Sequence, residues 1–283
     1  MKNIIVPVDF SEESINGLQI ALLFAKKIPV TVQLVYVMQK VSEHGNESVD
    51  TENAFAEKQL KALVDKYSPA IGQDSKLQYF IKKGRIFQEI VNQAQAYPES
   101  VITASTHGAS GFQEFFIGSN AYRILSVTDK PVITIRGGNC PVTFGKIVLP
   151  VDTTIDSRQK VPLTIDIAKI FDAEIHVVGI QVSKSEREVR RIRTYTGQVA
   201  GFIQGKARVV TNEVWGSNVA DMVVNYAHTV KADMISITTE KTSGLGLIIG
   251  NTAHQVLNKA DMPVLSQSPK SIKITGTFSS SGG

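Results

Sequence analysis

The chain contains the same short apolar segment twice. An apolar run that closes with Pro-Val-Asp occurs at residues 4–9 and again at residues 147–152, an offset of 143 residues. Later, the Pro-Val pair at residues 131–132 recurs at residues 263–264, an offset of 132, so the first copy carries about eleven additional residues between its second and third predicted strands. A unit of this length is too long for a solenoid repeat and has the size of an ordinary domain. The sequence therefore predicts two related domains in tandem.

Each copy alternates strand and helix patterns. In the first copy, residues 4–8 form a continuous apolar run, residues 15–25 have apolar side chains at helical spacing, and residues 30–37 are again rich in β-branched types. Apolar strands that alternate with helices indicate a mostly parallel sheet with both faces covered. Right-handed crossovers make such a sheet doubly wound. We therefore predict an α/β fold of two tandem Rossmann-like domains, each a five-stranded, mainly parallel sheet with helices on both faces.

The predicted limits are residues 1–138 for the first domain, 144–269 for the second and 270–283 for a C-terminal tail. Each sheet would end in an apolar strand, at residues 131–136 and 263–267, and such an edge must be covered. A duplicated chain can cover one edge with the other. The two domains are therefore predicted to pack through these strands as an intramolecular pseudo-dimer, and a homodimer of whole chains is left open.

The additional segment of the first copy is polar and acidic. Residues 42–52 are predicted to be a loop that precedes a helix at residues 54–67. Because few apolar side chains there can bury surface to offset the entropy of ordering, residues 41–57 are predicted to be the most mobile ordered part of the first domain.

Composition restricts the environment and the partners. The chain is 42% hydrophobic and 20% charged, has no apolar run of the roughly 18 residues that a membrane span requires, and begins without a signal-peptide pattern. We expect a cytoplasmic protein with no membrane partner. Its single cysteine, Cys140, excludes a disulfide within the chain, and the five scattered histidines have no metal-ligand spacing, so no metal site is expected.

The net charge of +4 lies entirely in residues 141–283, because the charges of residues 1–140 balance. Its basic cluster at residues 184–193 has interleaved glutamates and lacks aromatic residues for base stacking. Nucleic acid is therefore not expected as a partner.

Two loops at the carboxyl ends of predicted strands are candidate ligand sites, because doubly wound sheets bind ligands at this edge. Asp9 follows the first strand, where it can form a helix N-cap or an Asx turn and also accept hydrogen bonds from a base or ribose. The segment 105–120 follows the fourth strand, is rich in glycine and hydroxyl groups, and leads into a helix. Gly118 lets a phosphate oxygen approach the backbone while Ser119 donates. The alternative is a flexible loop with Ser119 as the N-cap.

On the basis of Asp9 and the segment 105–120, the chain resembles the universal stress protein family, specifically its tandem two-domain members. Nucleotide-binding members of that family have Gly-x-x-Gly, nine residues and Gly-Ser or Gly-Thr after the fourth strand, together with an aspartate after the first. The resemblance implies ATP, with or without Mg²⁺, as the ligand of the first copy, an adenine slot beside the end of the second strand, and a site made of Pro7, Asp9, Val35, Val37, Ser105, His107, Gly108, Gly118, Ser119 and Asn120.

The spacing of this motif is intact in the first copy, but Ser105 replaces its first glycine. If that position requires a positive φ or a close approach to phosphate, the side chain costs about 1–2 kcal/mol and weakens binding without abolishing it. His107 has an alternative interpretation as an ordinary surface-loop histidine.

The second copy departs further from the family pattern. Ile237, Glu240, Gly250 and Asn251 stand at the matching positions, so one of the three glycines is kept. A carboxylate at Glu240 would repel a triphosphate, and Ile237 would fill the approach. We therefore predict that the second copy has lost ATP binding, with Asp152 kept as a structural cap or as part of another pocket, and that each chain binds one ATP.

Motifs of the common enzyme classes are absent from the sequence. It has no Gly-x4-Gly-Lys-Ser/Thr loop, no Gly-x-Ser-x-Gly elbow, no His-Glu-x-x-His, and no Ser-Gly-Gly loop at residues 7–14. No enzymatic activity is expected beyond slow ATP hydrolysis. The resemblance implies a stress-response protein that binds or senses ATP through its first domain and acts by regulated interaction with protein partners that the sequence does not identify. The alternative is a scaffold or regulatory pseudo-dimer that binds no nucleotide.

Overall fold

The computed structural model of the chain describes residues 1–38, 46–106, 118–137, 140–154, 156–239 and 249–269. The first half contains strands β1 (Asn3–Pro7), β2 (Thr31–Met38), β3 (Lys76–Lys83), β4 (Ser100–Ser105) and β5 (Val132–Ile135), with helices α1 (Glu12–Ala25), α2 (Asn46–Tyr67), α3 (Ile86–Gln95) and α4 (Ser119–Val127). The second half contains β6 (Lys146–Val151), β7 (Glu174–Gln181), β8 (Arg208–Trp215), β9 (Met234–Thr238) and β10 (Val264–Gln267), with α5 (Val161–Phe171), α6 (Glu186–Ile203), α7 (Val219–Val230) and α8 (Asn251–Lys259).

The strands form one ten-stranded sheet in the order β3-β2-β1-β4-β5-β10-β9-β6-β7-β8. All strand pairs within each half are parallel. The winding reverses between β1 and β4 in the first half and between β6 and β9 in the second. The predicted α/β fold of two doubly wound domains is therefore confirmed.

The last strands of the two halves join them into one sheet. β5 and β10 are antiparallel, with Ile133 opposite Leu265 at the centre of the junction. The Ser268 hydroxyl also donates to the carbonyl of Thr128 across the junction, at 3.1 Å. This is the predicted pairing, and it leaves neither apolar end strand as an uncovered edge.

An aromatic cluster adds a second contact between the halves on one face of the sheet. Phe24 of α1, Phe144 of the linker and Phe171 of α5 have ring centroids 4.9 to 5.8 Å apart. Two of the three pairs are edge-to-face, an arrangement that contributes roughly 0.5–1.5 kcal/mol per pair beyond the buried area. The halves are thus held by both a strand pair and a packed apolar contact.

We expect the two domains to tumble as one body, because their separation would expose both end strands and the three phenylalanines to water. NMR relaxation should give one overall correlation time for amides of β1 and β6 alike. Two shorter and distinct correlation times would show that the domains reorient independently.

The additional residues of the first copy lie where they were predicted. The first residues of β2 and β7 are 143 positions apart and those of β3 and β8 are 132 apart, so the extra length falls between the second and third strands. The prediction of a loop is wrong for residues 46–52, since α2 begins at Asn46. Ala56 and Leu60 of this helix are fully buried, and this apolar contact stabilises a segment whose own composition is polar. The mobility predicted for residues 41–57 stays a prediction, and residues 39–45 lie outside the described part.

Within the described residues, no helix is both long and apolar enough to cross a bilayer.

Candidate functional site

The two central strands of each half separate before their carboxyl ends. β1 and β4 are paired up to Ile5 opposite Ile102. Beyond that pair, β1 continues along β2 to Pro7, while β4 continues along β5 to Ser105. A crevice therefore opens at the point where the winding reverses, which is where doubly wound sheets bind ligands. β6 and β9 separate in the same way.

Asp9 forms a compact turn at the mouth of this crevice. Its Oδ1 accepts hydrogen bonds from the backbone N–H of Ser11 at 3.1 Å and from the Ser11 hydroxyl at 2.5 Å. Ser11 Oγ in turn accepts from the N–H of Ser14 at 3.1 Å and is the N-cap of α1. Of the two structural roles predicted for Asp9, the structure has the Asx turn. The Asp9 side chain is exposed and can still meet a ligand.

The second copy repeats this turn. Asp152 Oδ1 accepts from the N–H and the hydroxyl of Thr154, at 2.7 and 2.6 Å, and Thr154 Oγ1 accepts from the N–H of Ser157 at 3.2 Å. Each of these residues lies 143 positions after its counterpart. The acid and its turn are therefore common to both copies and cannot explain a difference in ligand binding.

Phe10, directly after Asp9, has a left-handed backbone with φ of 66°. A bulky side chain in that region costs about 1–2 kcal/mol, and stacking offsets it here. The Phe10 ring is 4.8 Å from the ring of Tyr36 and 5.8 Å from that of Phe55 on α2. The Tyr36 hydroxyl donates to Glu52 Oε1 at 3.1 Å. The helix of the additional segment thus packs directly on the Asp9 turn.

Burial raises the pKa of Tyr36 above its ordinary value, and the hydrogen bond to Glu52 and the charges of Glu52 and Asp9 raise it further. Tyr36 therefore stays protonated and keeps donating to Glu52 at neutral pH. Thr153 and Gly179 stand at the positions of Phe10 and Tyr36 in the second copy. This aromatic support belongs to the first domain.

The end of β4 meets the start of α4. Ser105 is in register with Ile135, and the N–H of Gly118 donates to the carbonyl of Thr106 at 2.5 Å. Ser105 is outside the left-handed region, so of the two conditions under which its side chain would weaken binding, the positive φ does not apply, and the close approach to phosphate stays a prediction. The reason is that Ser105 ends a strand and any residue adopts that conformation. His107 and Gly108 lie outside the described residues.

Within the described residues, no side chain caps the N-terminus of helix α4. Its N-cap is Gly118, with φ of −59° and ψ of 147°, so the alternative of Ser119 as N-cap is wrong. Gly118 has no side chain to bind the first-turn N–H groups, and Ser119 and Asn120 are exposed. The Ser11 and Asn218 side chains cap α1 and α7, whereas α3, α5, α6 and α8 also have no capping hydrogen bond from the N-cap side chain. A helix N-terminus of this kind presents N–H donors and a positive dipole end, both of which attract anions.

The side chains predicted to hold adenine are brought together at the ends of β1 and β2. Pro7 is opposite Val35 and is half-buried. Val35 and Val37 are 1% and 7% exposed and lie in the core cluster that also contains α3 and α4 residues. In this conformation they present little surface to a ligand, and Pro7 presents more.

The corresponding crevice of the second copy differs at two positions. Gly17 of α1 lies so close to β4 that an added Cβ would be 3.0 Å from the carbonyl oxygen of Thr103. The residue 143 positions later is Lys160, the N-cap of α5, which is only 3% exposed. At the end of β9, Ile237 is 5% exposed where the first copy has Ser105.

Burial lowers the pKa of the Lys160 ammonium to about 8, and the carboxylate of Asp152 opposes this shift. A long cationic side chain and an apolar one thus stand where the first copy has glycine and serine. The sequence patterns did not point to Lys160, although the offset of 143 aligns it with Gly17. Glu240, which was expected to repel phosphate, lies outside the described residues.

Cys140 is a free cysteine and is half-buried. Burial raises the pKa of the Cys140 thiol to about 11, so it is protonated and unreactive at neutral pH. Within the described ranges, no three histidine, cysteine or acidic side chains are grouped closely enough to hold a metal ion.

Comparisons with known proteins agree with this architecture. The profile of the universal stress protein family matches residues 1–136 and 143–266. A universal stress protein of Methanocaldococcus jannaschii is 30% identical over 141 residues, 43% of this chain and 81% of that protein. A universal stress protein from Archaeoglobus fulgidus has the same fold, with a TM-score of 0.78 over 94% of this chain and 98% of that chain at 18% identity. A functionally unknown protein from Pseudomonas aeruginosa has a TM-score of 0.65, and the match covers 95% of this chain and 93% of that chain at 19% sequence identity.

Proposed function

Since the chain belongs to the universal stress protein family, we propose that it is a cytoplasmic stress-response protein that binds one ATP in its first domain. Nucleotide occupancy would then control its interaction with protein partners. No catalytic role is proposed beyond slow hydrolysis during long residence.

The observation that carries this proposal is the contrast between the two crevices. In the first domain, the exposed Asp9 stands on one side of the crevice and the uncapped N-terminus of α4 on the other. In the second domain, a similar turn and helix start are present, but Lys160 and Ile237 are buried at the positions of Gly17 and Ser105. Among the described residues, the donor and acceptor groups are combined with small side chains in the first domain, where Gly17 and Ser105 replace Lys160 and Ile237.

The residues of the first domain fit a nucleotide by their chemistry. Asp9 would accept hydrogen bonds from the ribose hydroxyls. The first-turn N–H groups of α4 and the Ser119 hydroxyl would donate to phosphate oxygens. Adenine would lie against Pro7, with Val35 and Val37 behind it, and Ser105, His107, Gly108 and Asn120 would complete the surroundings of the phosphates. A bound Mg²⁺ would be held mainly by the phosphates themselves.

The test is to purify the protein without added nucleotide, denature it, and separate small molecules from the chain. We expect the small-molecule fraction to absorb as adenine at close to one equivalent per chain. If the protein is purified free of nucleotide, we expect the same result after it has been incubated with Mg-ATP and separated from the unbound nucleotide. If neither treatment yields bound adenine, the alternative of a scaffold that binds no nucleotide is correct.

A further inference from the structure

A cavity of about 630 Å³ lies on the surface between α3 and α4 of the first domain. One arginine comes from each side, Arg85 directly before α3 and Arg123 from the second turn of α4. The side chains that line it are Arg85, Phe87, Tyr122, Arg123, Ser126 and Val127. The cavity thus combines two cations with two aromatic rings.

Both guanidinium groups are available to a ligand. Arg85 and Arg123 are exposed, and neither forms an ion pair with a carboxylate in the described part of the chain. The guanidinium carbon of Arg123 is 5.6 Å from the ring centroid of Phe87, a contact that restrains its direction. Planar guanidinium groups bind phosphate through paired N–H donors, which makes phosphate the anion that suits them best.

The second copy lacks both cations. Ser217 and Gln255 stand 132 positions after Arg85 and Arg123. The Gln255 side chain is engaged there, since its Oε1 accepts from the Asn218 amide at 3.2 Å. The two arginines are therefore present in the first domain, whose crevice has Gly17 and Ser105. They are absent from the second domain, whose crevice has the buried Lys160 and Ile237.

The cavity is within reach of the α4 N-terminus. Arg123 follows Ser119 by four residues, so the two lie on the same face of α4 and are separated by a rise of about 6 Å. A single phosphate at the first turn would not extend that far along the helix, whereas a chain of two or three phosphates would.

We propose that Arg85 and Arg123 bind the distal phosphates of the nucleotide and make the site selective for triphosphate over monophosphate. This inference rests on the proposed function for the identity of the ligand. It adds that α3 and α4 together recognise the length of the phosphate chain.

The experiment compares calorimetric titrations with Mg-ATP and AMP for the whole chain and for the Arg85→Ser/Arg123→Gln double variant, which takes the residues of the second copy. Serine is a favoured N-cap, so the change at Arg85 does not weaken α3. We expect ATP affinity to fall by roughly tenfold to a hundredfold while AMP affinity stays within about twofold. The control is Arg187→Gln/Arg191→Gln on α6, which removes the same charge from exposed positions of the second domain and should change neither affinity.

Equal loss of ATP and AMP affinity, or unchanged ATP affinity, would overturn the role of the arginines and leave the proposed function standing. If the original chain binds neither nucleotide, the proposed function fails. The anion site at Arg85 and Arg123 is then tested separately by titration with inorganic triphosphate. Triphosphate that binds the original chain and not the double variant supports an anion site at these arginines. Triphosphate that binds both equally, or neither, contradicts it.

Discussion

Replacing Lys160 with methionine should stabilise the second domain by about 3 kcal/mol at pH 7. The Lys160 side chain is buried, and its pKa is lowered to about 8. An unfolded chain has a lysine pKa of about 10.4, and each unit of difference corresponds to about 1.4 kcal/mol. Methionine has similar length and no charge to bury, so it removes this penalty.

The pH dependence of this effect has a definite sign. Between about pH 8 and pH 10.4 the unfolded chain holds the Lys160 proton while the folded chain has lost it, so stability rises with pH in this window. Below pH 8 the penalty is fully present. The advantage of Lys160→Met should therefore be largest at neutral pH and should shrink towards zero near pH 10.

Urea unfolding at pH 7 and at pH 10, followed by a probe in the second domain such as the fluorescence of Trp215, measures both quantities. Lys169→Met is the matched control, because Lys169 is exposed on the same helix and its replacement should change stability by less than about 0.5 kcal/mol. A Lys160→Met variant that is no more stable than the original chain at pH 7 would show that this lysine is not a buried charge.

Replacing Gly118 with valine should weaken ATP binding by roughly a hundredfold or more. The side chain would stand at the N-cap of α4, where phosphate oxygens must approach N–H groups whose charge-assisted hydrogen bonds contribute about 1.5–3 kcal/mol each. The backbone at Gly118 has a negative φ that valine also adopts, so the domain should still fold.

Gly250→Val is the control for this substitution. Gly250 has almost the same backbone angles, φ of −53° and ψ of 144°, and is likewise the N-cap of its helix. Both variants should therefore lose a similar, small amount of stability, but Gly250→Val should leave ATP affinity unchanged. Loss of binding with Gly250→Val and its retention with Gly118→Val would place the nucleotide in the second domain.

The sequence was sufficient for the features that repeat. Two Pro-Val-Asp segments and their changing offset predicted the tandem domains and the position of the extra residues. The alternation of apolar strands with helices predicted the parallel sheets, and the apolar end strands predicted the pairing of the two halves. These follow from apolar periodicity and from the need to cover sheet edges, both of which are visible in a single sequence. The loop predicted at residues 46–52 was wrong because tertiary burial of Ala56 and Leu60 outweighs local polarity.

The candidate site was less predictable because its specific features depend on distance in space. The strain of Phe10 is compensated by Tyr36 and Phe55, which are far away in sequence. Lys160 is notable only because the residue at its position in the first copy, Gly17, packs against β4. Arg85 and Arg123 line the same cavity only because the fold brings α3 and α4 together. Motif spacing located Asp9 and Gly118, but it could not show that the second copy buries Lys160 and Ile237 at the positions of Gly17 and Ser105.

The central claim is that one crevice of two binds ATP, and the number of nucleotides per chain tests it most directly. Calorimetric titration of nucleotide-free protein with Mg-ATP should give a stoichiometry of about one, because Lys160 and Ile237 are buried in the second crevice at the positions of Gly17 and Ser105. A stoichiometry of two would mean that Lys160 and Ile237 do not close the second crevice. The absence of any binding would mean that the first crevice, despite Asp9 and the uncapped α4, is not a nucleotide site.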